Sequence, residues 1–142
     1  MNQEEEFQRY AALIDYYKSQ LESIENQYNY LQAAIMDYQK AKITVEKLAE
    51  TKSGNEILIP IGGGVFTYAA AKKTSKVLTD IGSGIVIEKT PKDALLVMDK
   101  RIKGLQENLD SLNTMSQQIQ DQMQEISKKA QQIYEQSLQN NL

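Results

Sequence analysis

Three consecutive glycines are the first candidates for chemistry in this sequence. They lie at positions 62–64, within the stretch "LIPIGGGVF". Glycine-rich loops bind phosphate groups when a strand precedes them and a helix begins directly after them. Here the β-prone run "VFTYA" follows the glycines, "KKTS" at 72–75 lacks the glycine that precedes the lysine of a phosphate loop, and "GSG" at 82–84 runs into "IVIEK". The pattern favours hairpin turns, and a nucleotide-using enzyme built on them is the least favoured hypothesis.

The composition excludes most other catalytic chemistry. The chain of 142 residues has no cysteine and no histidine. It therefore has no disulfide or thiolate nucleophile, and it lacks the commonest general base and zinc ligand. We interpret Glu4, Glu5 and Glu6 as a helix-capping run, and Lys72 and Lys73 as solvated turn charges. The sequence predicts no enzyme activity, no cofactor and no metal site.

Charge and hydropathy restrict the partners and the compartment. The net charge of −3 argues against binding to nucleic acid phosphates. No apolar run approaches the roughly 20 residues that span a bilayer, and the segment "MNQEEEFQRY" lacks the apolar region of a signal peptide. We expect no nucleic acid partner, no membrane association and a cytoplasmic location. The length predicts a single domain over residues 1–142.

The first third of the chain, residues 1–53, is predicted to be one long helix. It has no proline or glycine, and apolar residues recur at alternating spacings of three and four for nearly six heptads. Asn2 is the predicted N-cap, and Lys52 followed by Gly54 marks the end. The core-facing positions, with Lys42 as the one polar exception, are Phe7, Tyr10, Ile14, Tyr17, Leu21, Ile24, Tyr28, Leu31, Ile35, Tyr38, Lys42 and Val45.

Residues 91–142 are predicted to form a second helix of similar length. Thr90 is a suitable N-cap, Pro91 fits the first helical position, and Asp93 fits that of a capping-box acid. The heptad positions are Leu95, Met98, Ile102, Leu105, Leu109, Leu112, Ser116, Ile119, Met123, Ile126, Ala130, Ile133 and Ser137. We call the two sets of heptad positions together the seam.

The two helices are predicted to pair as an antiparallel coiled-coil hairpin, since each would otherwise expose an apolar stripe. This pairing places Val45 near Met98, and Phe7 near Ile133 and Ser137, so both chain ends meet at one tip. The positions beside the seam are mostly Gln, Asn and Ala. We therefore expect few ion pairs between the helices.

The segment 54–90 is predicted to contain two tandem β-hairpins. Turn signals separate strands at about 56–61, 65–71, 76–81 and 84–89. Their residues are apolar on both faces, and two hairpins alone are marginally stable, so strands from other chains are expected to complete a β-barrel. The fold class is thus α+β, mostly α, with an oligomerisation platform between the helices. The predicted assembly residues are Ile57, Ile59, Ile61, Val65, Phe66, Val77, Ile81, Ile85, Val86 and Ile87.

The whole chain resembles the α-class subunit of prefoldin, a chaperone also called GimC. The resemblance is most specific in "ILIPIGGGVF", "KKTSKVLTDIGSGIVIEKT" and "DKRIKGLQENLDSL". Two hairpins indicate the α class, since β-class subunits have one. The stretch "DIGSGIVIEKT" is also similar to eukaryotic α-class subunits, whereas the compact ends favour an archaeal form. The resemblance implies a hexamer of two α and four β subunits. It also implies ATP-independent binding of unfolded or nascent polypeptides at the tips, protection from aggregation and delivery to a group II chaperonin.

A chaperone of this kind needs apolar surface that its own fold does not use. Four residues of the terminal turns lie off the seam, and the seam itself can open where helix ends fray. Tyr28 and Tyr38 are expected to be core. The alternative function is that of a structural coiled-coil or filament-forming prefoldin relative without client transfer. The predicted client-binding residues are Phe7, Tyr10, Leu13, Ile14, Tyr16, Tyr17, Ile126, Ala130, Ile133, Tyr134 and Leu138.

Overall fold

Two long helices and four short strands make up the computed structural model, which describes residues 2–141. The elements are α1 (Gln3–Glu50), β1 (Glu56–Gly62), β2 (Val65–Ala70), β3 (Val77–Gly82), β4 (Ile85–Lys89) and α2 (Pro91–Asn140). The predicted α+β class and the order of the elements are confirmed. Residues 1 and 142, which were included in the predicted helices, lie outside the described residues.

Side-chain caps fix the start of both helices, as the sequence predicts. Asn2 Oδ1 accepts a hydrogen bond of 2.8 Å from the backbone N–H of Glu5, and Thr90 Oγ1 accepts one of 3.2 Å from Asp93. Each bond satisfies an N–H that has no partner inside the helix. α1 ends at Glu50 rather than at residue 53, because a turn follows in which Thr51 N–H donates to Leu48 O.

The strands form two separate antiparallel hairpins, β1 with β2 and β3 with β4. Both hairpins have the same turn, which follows a shift in the strand register at Pro60/Gly62 in one and at Asp80/Gly82 in the other. The two turn residues have positive φ in each case. They are Gly63 (58°) and Gly64 (77°) in the first hairpin, and Ser83 (52°) and Gly84 (75°) in the second. Positive φ at both central residues is the conformation of the two-residue hairpin turn. The interpretation of the glycines as turn residues is confirmed.

The chain divides into two compact units. The first joins Met1–Ala33 with Gln106–Leu142, and the second is Ala34–Leu105. In the first unit the helices run antiparallel, since Phe7 shares a groove with Ile133 and Ser137. In the second unit Tyr38 and Lys42 of α1 contact Arg101 and Asp99 of α2. Assignment of the whole chain to a single domain stays a prediction.

The heptad pattern correctly identifies which face of each helix is covered. Every predicted seam position is partly or fully buried except Phe7, which is 43% exposed. Tyr28 and Tyr38 are half-buried, in agreement with a core role. The buried apolar residues are Ile24 and Leu112 in the first unit, and Ile35, Val45, Ala71, Ala94 and Ile102 in the second.

Candidate functional site

The hairpins expose most of their large apolar side chains. We call residues 56–89 the strand platform. In the first hairpin, Leu58 and Ile59 lie on opposite faces because successive side chains alternate, yet they are 57% and 41% exposed. Both faces of β1–β2 are therefore uncovered, as the sequence predicts. The exposed predicted assembly residues are Ile59, Ile61, Val65, Phe66, Ile81, Ile85, Val86 and Ile87, whereas Ile57 and Val77 are half-buried.

The second hairpin is partly covered on one face and exposed on the other. Thr79 is 7% exposed and its cross-strand partner Ile87 is 37% exposed, whereas Leu78 on the other face is 73% exposed. The set of predicted assembly residues also omits Leu58, Tyr68 and Leu78, although all three are more than half exposed. These three residues lie in β1, β2 and β3, and their apolar side chains in these strands could have identified them as assembly residues.

Arg101 connects three elements of the second unit. Its guanidinium donates a hydrogen bond to the backbone carbonyl of Asp80 in β3, and it lies over the ring of Tyr38 in α1, 5.9 Å from the centroid. A planar cation can stack on an aromatic face while its N–H groups bind a carbonyl. Arg101 therefore holds the β3–β4 hairpin beside the helix pair. No local sequence pattern predicts this contact, since 21 positions separate Arg101 from Asp80.

The polar seam residue Lys42 pairs with Asp99 across the two helices. The hydrogen bond to the Asp99 carboxylate raises the pKa of Lys42 above its ordinary value. The side chains are 29% and 52% exposed, so solvent weakens the pair. This contact explains how a lysine fits an otherwise apolar heptad position.

A groove lies between the N-terminal turns of α1 and the C-terminal turns of α2. It has a volume of about 290 Å³, and we call it the helix-end groove. Two aromatic rings are partly free there, since Phe7 is 43% and Tyr134 57% exposed. The predicted proximity of Phe7 to Ile133 and Ser137 is confirmed. The residues that line the groove are Gln3, Glu4, Phe7, Ile133, Tyr134 and Ser137.

The predicted client-binding residues differ in accessibility. Tyr16 and Leu138, like Tyr134, are more than half exposed. Leu13, expected to lie free beside the seam, is half-buried like its seam neighbours, so its side chain contributes less free surface than predicted. The remaining half-buried members are Tyr10, Ile14, Tyr17, Ile126, Ala130 and Ile133.

Sequence reasoning missed a larger groove in the first unit. It has a volume of about 570 Å³ and lies beside Tyr30, Leu31 and Leu112, with Asn26, Gln27, Asn108 and Ser111 around them. Tyr30 is 76% exposed. The sequence feature that could have identified this groove is an aromatic residue, Tyr30, outside the heptad positions.

No metal or membrane feature is found in the described part of the chain. Within residues 2–141, no group of three or more metal-ligating acidic, cysteine or histidine side chains comes together. No helix in that range has a stretch that is both long and apolar enough to cross a membrane.

Comparison with known proteins identifies relatives of similar length. Residues 17–136 match the family model for "Prefoldin subunit". The chain is 32% identical to prefoldin subunit alpha of Archaeoglobus fulgidus, across 89% of this chain and 92% of the relative. It is 29% identical to the alpha subunit of Methanobrevibacter smithii, across 94% and 90% of the two chains.

Solved structures show the same fold. A filamentous prefoldin from Methanocaldococcus jannaschii superimposes with a TM-score of 0.73 at 20% identity, covering 84% of this chain and 98% of the other. The prefoldin beta subunit from Thermococcus strain KS-1 gives a TM-score of 0.57 at 13% identity, covering 89% and 90%.

Proposed function

Because the chain belongs to the prefoldin family and matches its alpha-class subunits, we propose that it binds unfolded or nascent polypeptides, prevents their aggregation and delivers them to a group II chaperonin. Prefoldin alpha subunits are chaperones and not enzymes, and they work as parts of oligomers. Binding at the helix ends and the hand-over to a chaperonin are the proposed steps. The proposed compartment is the cytoplasm, where nascent chains emerge.

The helix-end groove is the proposed client site. It combines partly exposed Phe7 and Tyr134 with a cavity of about 290 Å³, which suits an apolar side chain of a client. Burial of apolar surface supplies roughly 25 cal/mol per Å² without nucleotide. Tyr16 and Leu138, each more than half exposed, would extend the contact surface beyond the groove.

The single observation that carries the oligomeric part of the proposal is the exposed strand platform. Leu58 and Ile59 are exposed on opposite faces of the same strand, and a free strand edge with apolar faces favours strand pairing with another chain. We propose that beta-class subunits cover this surface in a hexamer of two alpha and four beta subunits, with the hairpins closing a double β-barrel. Such closure would bury the edges and the apolar faces together.

A filament is the second candidate assembly. The fold resembles that of a filamentous prefoldin, and an uncovered platform could also join identical copies end to end. Size-exclusion chromatography with a beta-class partner separates the two. A discrete hexamer supports the proposed function, whereas open-ended polymers, formed with or without the partner, support the filament.

The proposed chaperone activity is tested by suppression of aggregation. A chemically denatured test protein is diluted into buffer with the reconstituted complex, and light scattering is followed in the absence of nucleotide. We expect scattering to fall as the complex is added in stoichiometric amounts. A correctly assembled complex that leaves the scattering unchanged would contradict the proposal.

A further inference from the structure

The two compact units carry opposite net charge. The unit formed by Met1–Ala33 and Gln106–Leu142 has four basic and eleven acidic side chains, a net charge of −7. The unit Ala34–Leu105 has twelve basic and eight acidic side chains, a net charge of +4. The overall charge of −3 conceals this separation, because the acidic residues lie in the two ends of the sequence and the fold brings those ends together.

The acidic charge is also concentrated at the helix-end groove. The helix segments that form it, residues 3–8 and 132–138, contain Glu4, Glu5, Glu6 and Glu135 and no basic side chain. Glu4 itself lines the groove beside Phe7 and Tyr134. Glu4 therefore borders a cleft with aromatic walls, and the other three acidic residues lie in the same two helix segments.

The basic residues nearest to these segments lie outside them, with Arg9 directly after residue 8 and Lys129 three positions before residue 132. Arg9, Lys128 and Lys129 are the closest basic residues along the two helices, and Lys129 Nζ is 3.7 Å from Glu125 Oε1. α2 also has no basic residue in its last turn, so the negative end of its dipole has no compensating side chain there. The groove thus has an excess of negative potential.

These features suit one kind of side chain. Arginine and lysine have an apolar stem, which fits a cleft between rings, and a cationic head, which is attracted by aromatic faces and carboxylates. We infer that the helix-end groove selects unfolded segments in which basic residues adjoin apolar ones, in preference to equally apolar acidic segments. This inference rests on the proposed client binding, and it names the class of client.

The test uses three unfolded peptide probes that share their apolar residues and differ only in charge: Lys/Arg-rich, neutral Gln-rich and Asp/Glu-rich. The full chain is assembled with beta-class partners, and a photo-crosslinking residue at Ser137 reports contact at the groove itself. At low salt we expect about three- to tenfold more crosslinking of the basic probe than of the acidic probe. At 1 M salt, where the screening length is about 3 Å, the yields should converge.

Matched charge variants locate the effect. Changing Glu4, Glu5 and Glu6 to Gln should reduce crosslinking of the basic probe about threefold and leave the neutral probe unchanged. The control variant, Glu22→Gln with Glu107→Gln and Asp110→Asn, removes the same charge from exposed positions of the same unit outside the groove. It should have a smaller effect. Circular dichroism checks that both variants keep their helices.

The outcomes separate this inference from the proposed function. Equal crosslinking of all three probes at low salt would overturn the charge preference and leave client binding intact. No crosslinking of any probe would contradict client binding at the groove. If both variants crosslink the basic probe over the acidic probe as strongly as the unmodified chain does, Glu4, Glu5 and Glu6 are not the source of the charge preference. Binding of a folded basic protein as strongly as the unfolded basic probe would also overturn the inference, since a cleft for side chains requires an accessible extended segment.

Discussion

The strand platform and the paired helix ends use apolar residues in different ways. In the platform, neighbouring residues of one strand are exposed on both faces, such as Leu58 and Ile59. In the first unit, each helix buries one stripe, and exposed apolar residues such as Tyr16 and Leu138 stand apart from it. A continuous apolar sheet surface requires a permanent cover, whereas separate side chains around a groove suit transient contacts. This difference supports the proposal that the platform is the assembly surface and that the helix ends bind clients.

The largest expected effect comes from charges placed on the platform. Changing Ile59 and Val86 to Asp replaces an exposed apolar side chain of each hairpin by a carboxylate, which assembly would bury at a cost of several kcal/mol. We expect loss of the hexamer with helix content retained, measured by size-exclusion chromatography and far-UV circular dichroism. A double variant that still elutes as a full hexamer would show that these faces are not the assembly surface.

Removal of the Arg101 contact should loosen one hairpin and spare the other. Arg101→Gln loses the stacking on Tyr38 and the charged hydrogen bond to Asp80 O, with a local cost of about 1–3 kcal/mol. Hydrogen exchange should rise in residues 77–89 and stay unchanged in residues 56–70. Tyr38→Phe is the control, since it keeps the aromatic face. Equal acceleration of exchange in both hairpins would contradict the local role of Arg101.

A smaller effect on stability is expected from substitutions in the two hairpin turns, which can be compared position by position. Gly63 and Ser83 occupy equivalent positions with φ of 58° and 52°, so the fold already accepts a serine there. Gly63→Ser should destabilise the chain by less than about 1 kcal/mol, whereas Gly62→Ala, at a φ of 113°, should cost about 1–2 kcal/mol. Urea denaturation of the assembled variants measures both. A larger loss for Gly63→Ser would mean that the glycine has a role beyond the turn.

The smallest effect is expected from the Lys42–Asp99 pair. Because the pKa of Lys42 is raised in the folded state, its contribution to stability is present below the unfolded pKa of about 10.4 and is lost as pH rises through the folded pKa. Lys42→Met should therefore flatten the loss of stability in this alkaline range. The melting temperature of the chain and the variant between pH 8 and 11 checks this. Identical slopes would show that the pair has no role in the pH dependence.

Local patterns predict the elements and the covered faces well. The heptads, the caps at Asn2 and Thr90, and the glycine turns depend on residues close in sequence, so their chemistry can be read along the chain. The exposure of the platform also follows from sequence, because β-prone strands that are apolar on both faces cannot all be covered by two helices.

Contacts between distant residues could not be predicted in the same way. The Arg101–Asp80 contact depends on the orientation of the second hairpin relative to the helices. Local sequence patterns do not predict this orientation, because the two residues are 21 positions apart. Leu13 lies directly before the seam residue Ile14 and is half-buried, which its position off the heptad repeat does not predict. The acidic groove appears only when both ends of the sequence are brought together.

The most direct test of separate assembly and client surfaces compares variants that assemble equally well. It measures how strongly each one suppresses the aggregation of a client. One variant changes Tyr16, Tyr134 and Leu138 to Ser at the helix ends, and a matched control changes the exposed residues Tyr30, Met36 and Met115 to Ser elsewhere on the helices. All assemblies contain partner subunits truncated at their own helix ends, and hexamer size is verified for each. We predict that the helix-end variant loses most suppression of aggregation of a denatured protein while the control retains it. Equal protection by both variants would contradict the account.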